Sequence, residues 1–528
     1  MARGSPSASP PSSPSNSLDL SHPGVRFRVS PRLASGVIPE VLRARAGWFE
    51  VDDVEFFTDP RDSWDVHFAD VGWCRERFKA GVNPKDGVAR EPLLPYQRVN
   101  HFPNHAELTR KDLLAKNVKA HRRRLEKAGD VNEAKKYDFM PETYALPNDY
   151  ELFADKFRRD ETARPATAPV PLYIAKPAGK AQGRGIFLFR RLKRLAPWRD
   201  ANAARRRAPV ATLGGHGSAA SSSSHRARGR GGSNTLHPPS PPPVEPYVVQ
   251  RYVERPLLIG GKKFDLRLYA LVTSADPLCL YLYRAGFARF STRRYEKEDD
   301  DERHANDAND EPSCREHEQH KRRHADSVRS LRDLRAHLTN VALNKTADGY
   351  NARNAQKFDL KALRVHLRAK FGPNAVDELF ERIASVVVRS VLACAPKFRK
   401  TSFATSVKNA ENCFETYGFD VLIDAGLKPW LVEVNAAPSF SWDTRADRAL
   451  KRKVVGDALD VLDLESVVLE QYGDAYAESR SRERARTVGG FDLVWDDGPV
   501  PGPTKLGRRV EGLHDGAAEP DAEPPTRD

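Results

Sequence analysis

The chain has 528 residues, of which 39% are hydrophobic, with 39 prolines, 33 glycines and a formal charge of +14 at neutral pH. This length exceeds what one compact domain holds, and the diluted apolar content points to disordered termini and insertions around folded units. There is no apolar run of transmembrane length, the opening MARGSPSASPPSSPSNS lacks a secretory apolar stretch, and the five cysteines (Cys74, Cys279, Cys314, Cys394, Cys413) form no CxxC pair. A soluble protein of a reducing intracellular compartment is expected, without a disulfide framework or zinc ribbon. The positive charge favours an acidic partner, which nucleic acid, an acidic polypeptide and a membrane surface would all satisfy.

Residues 1–24 are Ser/Pro-rich and read as disordered. Aromatic and β-branched segments FRV, WFEV and WDVHF then open an N-terminal domain over 25–95. From Glu107, ELTRKDLLAKNVKAHRRRLEKAG reads as one helix with Leu108, Leu113, Leu114 and Val118 on its apolar side. Its basic face is by default a solvated one, with docking of an acidic substrate as the sharper reading. A central domain over 96–250 carries an insertion at 200–246, and a C-terminal domain over 251–465 carries another at 296–328; both insertions read as disordered loops. RGRGG in the first and His317, His320 and His324 in the second lack a scaffold to preorganise a site. Residues 466–528 read as a mostly disordered tail, with GGFDLVWDDGPV as a short piece able to dock as a strand.

Three segments carry chemistry. In PLYIAKPAGKAQGRGIFLFRRL, a loop with Gly179, Gly183 and Gly185 is followed by a strand instead of a helix, which excludes Walker and Rossmann arrangements. It leaves a flexible hairpin whose N–H groups can cover a triphosphate, with Lys176 adding positive charge. In YVVQRYVERPLLIGGKKFDLRLYALV, a strand at Tyr247–Val249 precedes one that places Lys263, Asp265 and Arg267 on one face and Phe264, Leu266 and Leu268 on the other. In CFETYGFDVLIDAGLKPWLVEVNAAPSF, two strands join at a turn over Asp424–Pro429; pairing Ile423 with Trp430 sets Asp420 opposite Glu433, with Asn435 on the same face. Such oxygen ligands suit Mg²⁺, and Val421, Val432 and Val434 are expected to bury the other side.

Together with NHFPNHAELTRKDLLAKN, LIGGKKFDLRLY, GFARF, HLTNVALNK and LKPWLVEVNAAPSF, these segments resemble the tubulin tyrosine ligase-like family, over residues 25–465 without the insertions. FLFRRL and FDLVWDDGP look most like its ninth member and KPAGKAQG like its first, both of the short polyglutamylase branch. The resemblance implies an α/β (α+β) ATP-grasp fold. It implies ATP contacts from Lys176, Gln182, Gly183, the hinge Gln250, Arg251, Tyr252 and Val253, Lys263, Asp265, Thr339 and Asn340. Arg289, Lys357 and Lys451 would bind glutamate. Arg267 would face the γ-phosphate, and Asp420, Glu433 and Asn435 would hold Mg²⁺, with Arg267 and Glu433 the catalytic pair. Arg184 stands where many members carry Lys, EVNAAPSF replaces the commoner EVNASPS, and both insertions depart from the family pattern.

The expected function is thus ATP- and Mg²⁺-dependent ligation of free L-glutamate to glutamate side chains of acidic tubulin tails through an acyl phosphate. Glycylase, tyrosine ligase and non-catalytic microtubule-associated subunit of a glutamylase complex are the alternatives. An RNA-binding role has no RNP motif behind it. The absence of a long basic helical extension implies accessory subunits of a polyglutamylase complex, no membrane partner is expected, and analogy places the protein in cytoplasm, cytoskeleton, and the axoneme and basal body of a cilium or flagellum.

Overall fold

The computed structural model describes residues 24–51, 64–78, 92–165, 168, 170–180, 183–207, 244–295, 334–339, 357–399, 410–436, 438–469 and 484–500. RGRGG, the three spaced histidines, Cys314, Gln182 and Asn340 lie outside them. Strands β1 (Val25–Val29), β2 (Trp48–Glu50), β3 (Val66–Phe68) and β4 (Arg98–Val99), with helices α1 (Val37–Arg43) and α2 (Val71–Arg77), form a parallel sheet in the order β2-β1-β3-β4. β4 carries this unit past its expected end at 95. Asp70 caps α2 by accepting from the N–H groups of Gly72 and Trp73.

The helix expected from Glu107 is two helices, α3 (Ala106–Thr109) and α4 (Lys111–Lys127). Arg110 between them is extended (φ −83°, ψ 128°), so the helical phase restarts: Leu108, Leu114 and Val118 are buried, and Leu113 is only partly so. After α5 (Val131–Lys135) come β5 (Thr143–Leu146), α6 (Tyr150–Ala163), β6 (Tyr173–Pro177), β7 (Phe187–Phe189), α7 (Ala196–Arg207) and β8 (Tyr247–Arg251). The four strands make an antiparallel sheet in the order β5-β8-β6-β7. Two expectations are corrected here. The insertion at 200–246 begins as helix, because its Ala/Arg-rich start favours one and Trp198 anchors it, stacking edge-on against Tyr247 at 4.6 Å and donating to Glu245 O at 2.9 Å. The boundary at 250/251 falls inside β8, whose ladder runs on to Arg251.

The largest sheet runs β14-β13-β10-β11-β16-β15, with β12 added on β11 and β9 on β10. Its strands are β9 (Leu258–Ile259), β10 (Lys262–Ala275), β11 (Leu278–Phe290), β12 (Lys357–Asp359), β13 (Glu415–Ile423), β14 (Pro429–Asn435), β15 (Thr487–Val488) and β16 (Phe491–Asp496). Helices α8 (Leu334–His337), α9 (Leu360–Phe371), α10 (Pro373–Arg399), α11 (Arg445–Leu462) and α12 (Leu464–Leu469) accompany it. The alternation of β10 divides the interior. Phe264, Leu266, Leu268, Ala270 and Val272 share one core with apolar residues of α9 and α10, whereas Tyr269 and Leu271 join a second core with the N-terminal sheet and α11. The tail beyond 466 is ordered over β15 and β16, and the GGFDLVWDDGPV piece docks on the edge of β11, with Phe491, Leu493 and Val494 buried. No helix among the described residues is long and apolar enough to cross a membrane. Cys74, Cys279, Cys394 and Cys413 are free and buried.

The register of β13 and β14 differs from expectation. Ile423 pairs with Pro429 and Leu422 with Trp430, and a bulge at Val432 then restores Asp420 opposite Glu433. Val421 and Val434 are buried on the far side as expected, but the bulge turns Val432 onto the near face beside Glu433.

Candidate active site

The β5–β8 sheet and the polar half of the β10 face flank a cleft lined from both sides by cationic and acidic side chains. Between β6 and β7 the hairpin expected to close it turns through Gly183 and Gly185, both at φ +74°. A Cβ on Gly185 would lie 2.9 Å from the Tyr247 hydroxyl oxygen, whose proton is donated to Gly185 O at 3.0 Å. Lys176 of β6 is buried and donates to Gln250 Oε1 at 2.8 Å; the other end of that amide donates to Thr143 Oγ1 at 2.9 Å. Lys263 of β10 donates to the Tyr252 hydroxyl at 2.9 Å, and that oxygen lies 3.1 Å from His337 Nδ1.

Across the large sheet, cation and carboxylate alternate. Arg289 is bidentate to Asp265 (2.7 and 2.7 Å) and reaches Asp420 Oδ2 at 2.7 Å, while Arg267 holds both oxygens of Asp420 (2.6 and 3.1 Å). Thr339 Oγ1 donates to Asp265 Oδ2 at 2.5 Å. Glu433, opposite Asp420, is 3.1 Å from Lys111 Nζ, and the Asn435 amide lies 3.4 Å from Asp420 Oδ2.

Charge is held here against burial. Burial pushes the Lys176 ammonium down to about 8, with Glu433 and Asp420 pulling upward and Lys111 adding repulsion. Burial, then repulsion from Lys176, takes Lys263 to about 7. Burial raises the Asp420 carboxyl, but Arg267 and Arg289 outweigh it and hold the group well below the usual carboxylate range. Seven cationic side chains line the cleft against three carboxylates, so a polyanion entering it would relieve the repulsion. The donors also fit a hard dication beside that polyanion. Asp420 and Glu433 offer carboxylate oxygens from facing strands, with the Asn435 amide beside Asp420 Oδ2, and Asp420 Oδ1, which accepts from Arg267 Nε, retains a lone-pair site.

Of the expected nucleotide residues, Lys176, Gly183, Gln250, Arg251, Tyr252, Val253, Lys263, Asp265 and Thr339 line this cleft, as do Asp420 and Glu433. Three expected placements differ. Arg267 is engaged by Asp420 and stands behind the lining. Gln250 and Arg251 belong to β8 instead of a free hinge, so the Gln250 side chain braces Lys176. Arg289 lies opposite Lys357 in the sheet but turns its guanidinium to Asp265 and Asp420, because two buried carboxylates outcompete an open pocket for a bidentate cation. Lys357 and Lys451 instead converge on Asp447, at 2.7 and 3.1 Å. Sequence reasoning missed Lys111, His337, Trp430 and Asp447. Lys111 was visible only as one charge of a basic helix face, and His337 sits two residues before Thr339. Asp447 precedes Lys451 by one helical turn, a spacing that signals an ion pair.

A two-sheet architecture around a cationic cleft with an acidic oxygen cluster defines an ATP-grasp type of fold. The family model of the tubulin-tyrosine ligase family matches residues 89–471, and the chain belongs to that family. A protein of Rattus norvegicus named probable tubulin polyglutamylase TTLL9 is 36% identical over 476 residues, 90% of this chain and 85% of the relative. A Tetrahymena thermophila protein named probable alpha-tubulin polyglutamylase Ttll1 is 32% identical over 462 residues, 86% of this chain and 89% of the relative.

Proposed function

We propose that the chain is a tubulin polyglutamylase, ligating free L-glutamate to the γ-carboxylates of glutamates in tubulin tails at the expense of ATP. One observation carries this reading beyond family membership. A cationic cleft lined by Asp420 and Glu433 lies on the same sheet as two lysines, Lys357 and Lys451, that converge on Asp447. Two cations suit an amino acid with two carboxylates; glycine and tyrosine offer one. The names of the relatives support the same choice of substrate.

In this reading Lys176 and Lys263 hold the phosphates, the backbone just beyond β8 at Tyr252 and Val253 receives the adenine, and Arg267 and Arg289 fix Asp420. Asp420, Glu433 and Asn435 would hold Mg²⁺, which neutralises phosphate charge when bound. The acceptor carboxylate attacks the γ-phosphorus, ADP leaves, and an acyl phosphate forms. The amino group of glutamate then attacks the acyl carbon, phosphate departs, the nitrogen gives up its proton to solvent, and an isopeptide bond results. Accessory subunits and an axonemal or basal-body setting belong to the same proposal.

Oxygen transfer tests the chemistry. Tail peptide carrying ¹⁸O in its glutamate side chains, incubated with the enzyme, any required subunits, ATP and glutamate, is expected to deliver one ¹⁸O to each phosphate released. Phosphate without ¹⁸O would contradict the acyl-phosphate route. Glu433→Gln is expected to lower turnover at least about 100-fold with an unchanged melting temperature, since Glu433 is partly exposed.

A further inference from the structure

Glu415 opens β13 and is fully buried. Its Oε1 lies 2.8 Å from His101 Nδ1, and its Oε2 accepts from the Phe102 N–H at 3.0 Å and the Tyr417 hydroxyl at 2.9 Å. No Lys or Arg pairs with it among the described residues; Arg98 of β4 pairs with Glu411 at 3.4 Å. A carboxylate that deep is costly to keep without a cation. Its charge is felt around it: after burial, Glu415 is the largest influence raising the Cys74 and Cys413 thiols and the Tyr417 hydroxyl above their ordinary values. Two imidazoles stand beside it. His101 follows β4 and is buried, His105 precedes α3 and is partly exposed, and their ring centroids are 5.3 Å apart. His105 Nδ1 donates to Phe102 O at 3.0 Å, which leaves its Nε2 as the lone-pair nitrogen. One ligand atom from each of His101, His105 and Glu415 lies within 4.8 Å of the other two.

We propose that His101, His105 and Glu415 bind one divalent transition-metal ion of the zinc type, which takes the place of the proton that His101 Nδ1 shares with Glu415 Oε1. Imidazole nitrogen and carboxylate oxygen are ligands such an ion accepts, and three protein ligands leave a position for water. A dication supplies the positive charge that the buried carboxylate lacks. The surroundings are those of a ligand set: two donors on Oε2 fix the carboxylate, the Phe102 carbonyl fixes the tautomer of His105, and the exposed side of His105 gives an entry path. The ion ties the connection between β4 and α3 to β13, next to the point where the Phe414 N–H donates to Val99 O at 2.9 Å. It is separate from the acidic cluster of the cleft, because Asp420 lies an odd number of residues further along β13 and faces the other side of the sheet. The site stands whatever reaction the cleft performs.

The test uses the full chain with His317, His320 and His324 replaced by alanine, so that zinc held by those histidines is not counted. The protein is treated with chelator and kept in excess Mg²⁺, which occupies the acidic cluster of the cleft. Zinc titration against a chromogenic chelator is expected to show one tight equivalent, and the loaded protein to melt at a higher temperature than the metal-free one. His105→Ala is expected to weaken that equivalent at least about 100-fold and to remove the zinc-dependent rise in melting temperature, with the affinity for a non-hydrolysable ATP analogue unchanged. Absence of a tight equivalent in the parent protein would overturn the proposal and leave the carboxylate balanced by a proton on His101. An equivalent equally tight in His105→Ala would also overturn it, since the ion then sits elsewhere. Should His105→Ala fail to fold, X-ray absorption at the zinc edge of the loaded parent decides: two imidazoles with oxygen ligands are expected, and sulfur or fewer than two imidazoles overturns the proposal.

Discussion

Lys263 has its ammonium buried, 2.9 Å from the Tyr252 hydroxyl and 4.4 Å from the centroid of that ring, and burial with repulsion from Lys176 brings it to about 7. A bound triphosphate would favour the charged form and raise that value, so binding takes up a proton wherever the free lysine is neutral. Below about pH 7 affinity for a non-hydrolysable ATP analogue is expected to be flat on this account; between about 7 and 8 it falls up to about tenfold per pH unit, and more steeply above about 8, where Lys176 also gives up its proton. Calorimetry between pH 7.5 and 9 in buffers of different ionisation enthalpy should register proton uptake, and its absence would remove Lys263 from the phosphate site. Lys263, Asp265 and Arg267 were legible as one face because a strand repeats every two residues. The direction of Arg289 was not, since its placement depends on two carboxylates from β10 and β13 that meet only in the folded sheet. Asp447 was half legible: its spacing to Lys451 announces an ion pair, but the convergence of Lys357 needs β12 in place.

At the scale of elements, glycine positions and ladder irregularities set the cleft. Gly185→Ala is expected to cost about 1–2 kcal/mol from the left-handed backbone alone, and more from the contact with the Tyr247 hydroxyl. Denaturation midpoint and nucleotide affinity should both fall, and an unaltered protein would show that the hairpin adopts another path. The strand after the glycine loop was readable from IFLF. The bulge at Val432 was not, because a one-residue insertion leaves the apolar–polar alternation ambiguous until a partner strand fixes the phase. Arg110 likewise carries no breaker residue to announce the helix break; the turn is imposed by packing Leu108 and Leu114 into one core.

For the whole molecule, β10 is the divider. One face fills the core under α10; the other is polar where it meets the cationic cleft and apolar where it roots the N-terminal sheet and α11. The C-terminal hairpin completes that second core. Asp457 of α11 accepts from the Tyr283 hydroxyl at 2.8 Å and the Gly490 N–H at 2.6 Å, and Phe491 is fully buried. The hairpin lies beyond the family match, which ends at 471. Phe491→Ala is expected to cost about 3–5 kcal/mol, visible as a lowered melting temperature, and to weaken glutamate use through α11, which carries Lys451. A melting temperature unchanged by the substitution would make the hairpin an ornament. Docking of that strand was foreseeable from its composition, whereas its tie to α11 required the tertiary structure.

The central claim is that this cleft transfers glutamate to tubulin tails. Mass spectrometry of tubulin incubated with the chain, its cell-derived partners, ATP, Mg²⁺ and isotopically labelled glutamate or glycine addresses it most directly. Stepwise additions of labelled glutamate, absent with Glu433→Gln, are predicted. Labelled glycine in the tails, or no addition with partners present and the protein folded, would contradict the account.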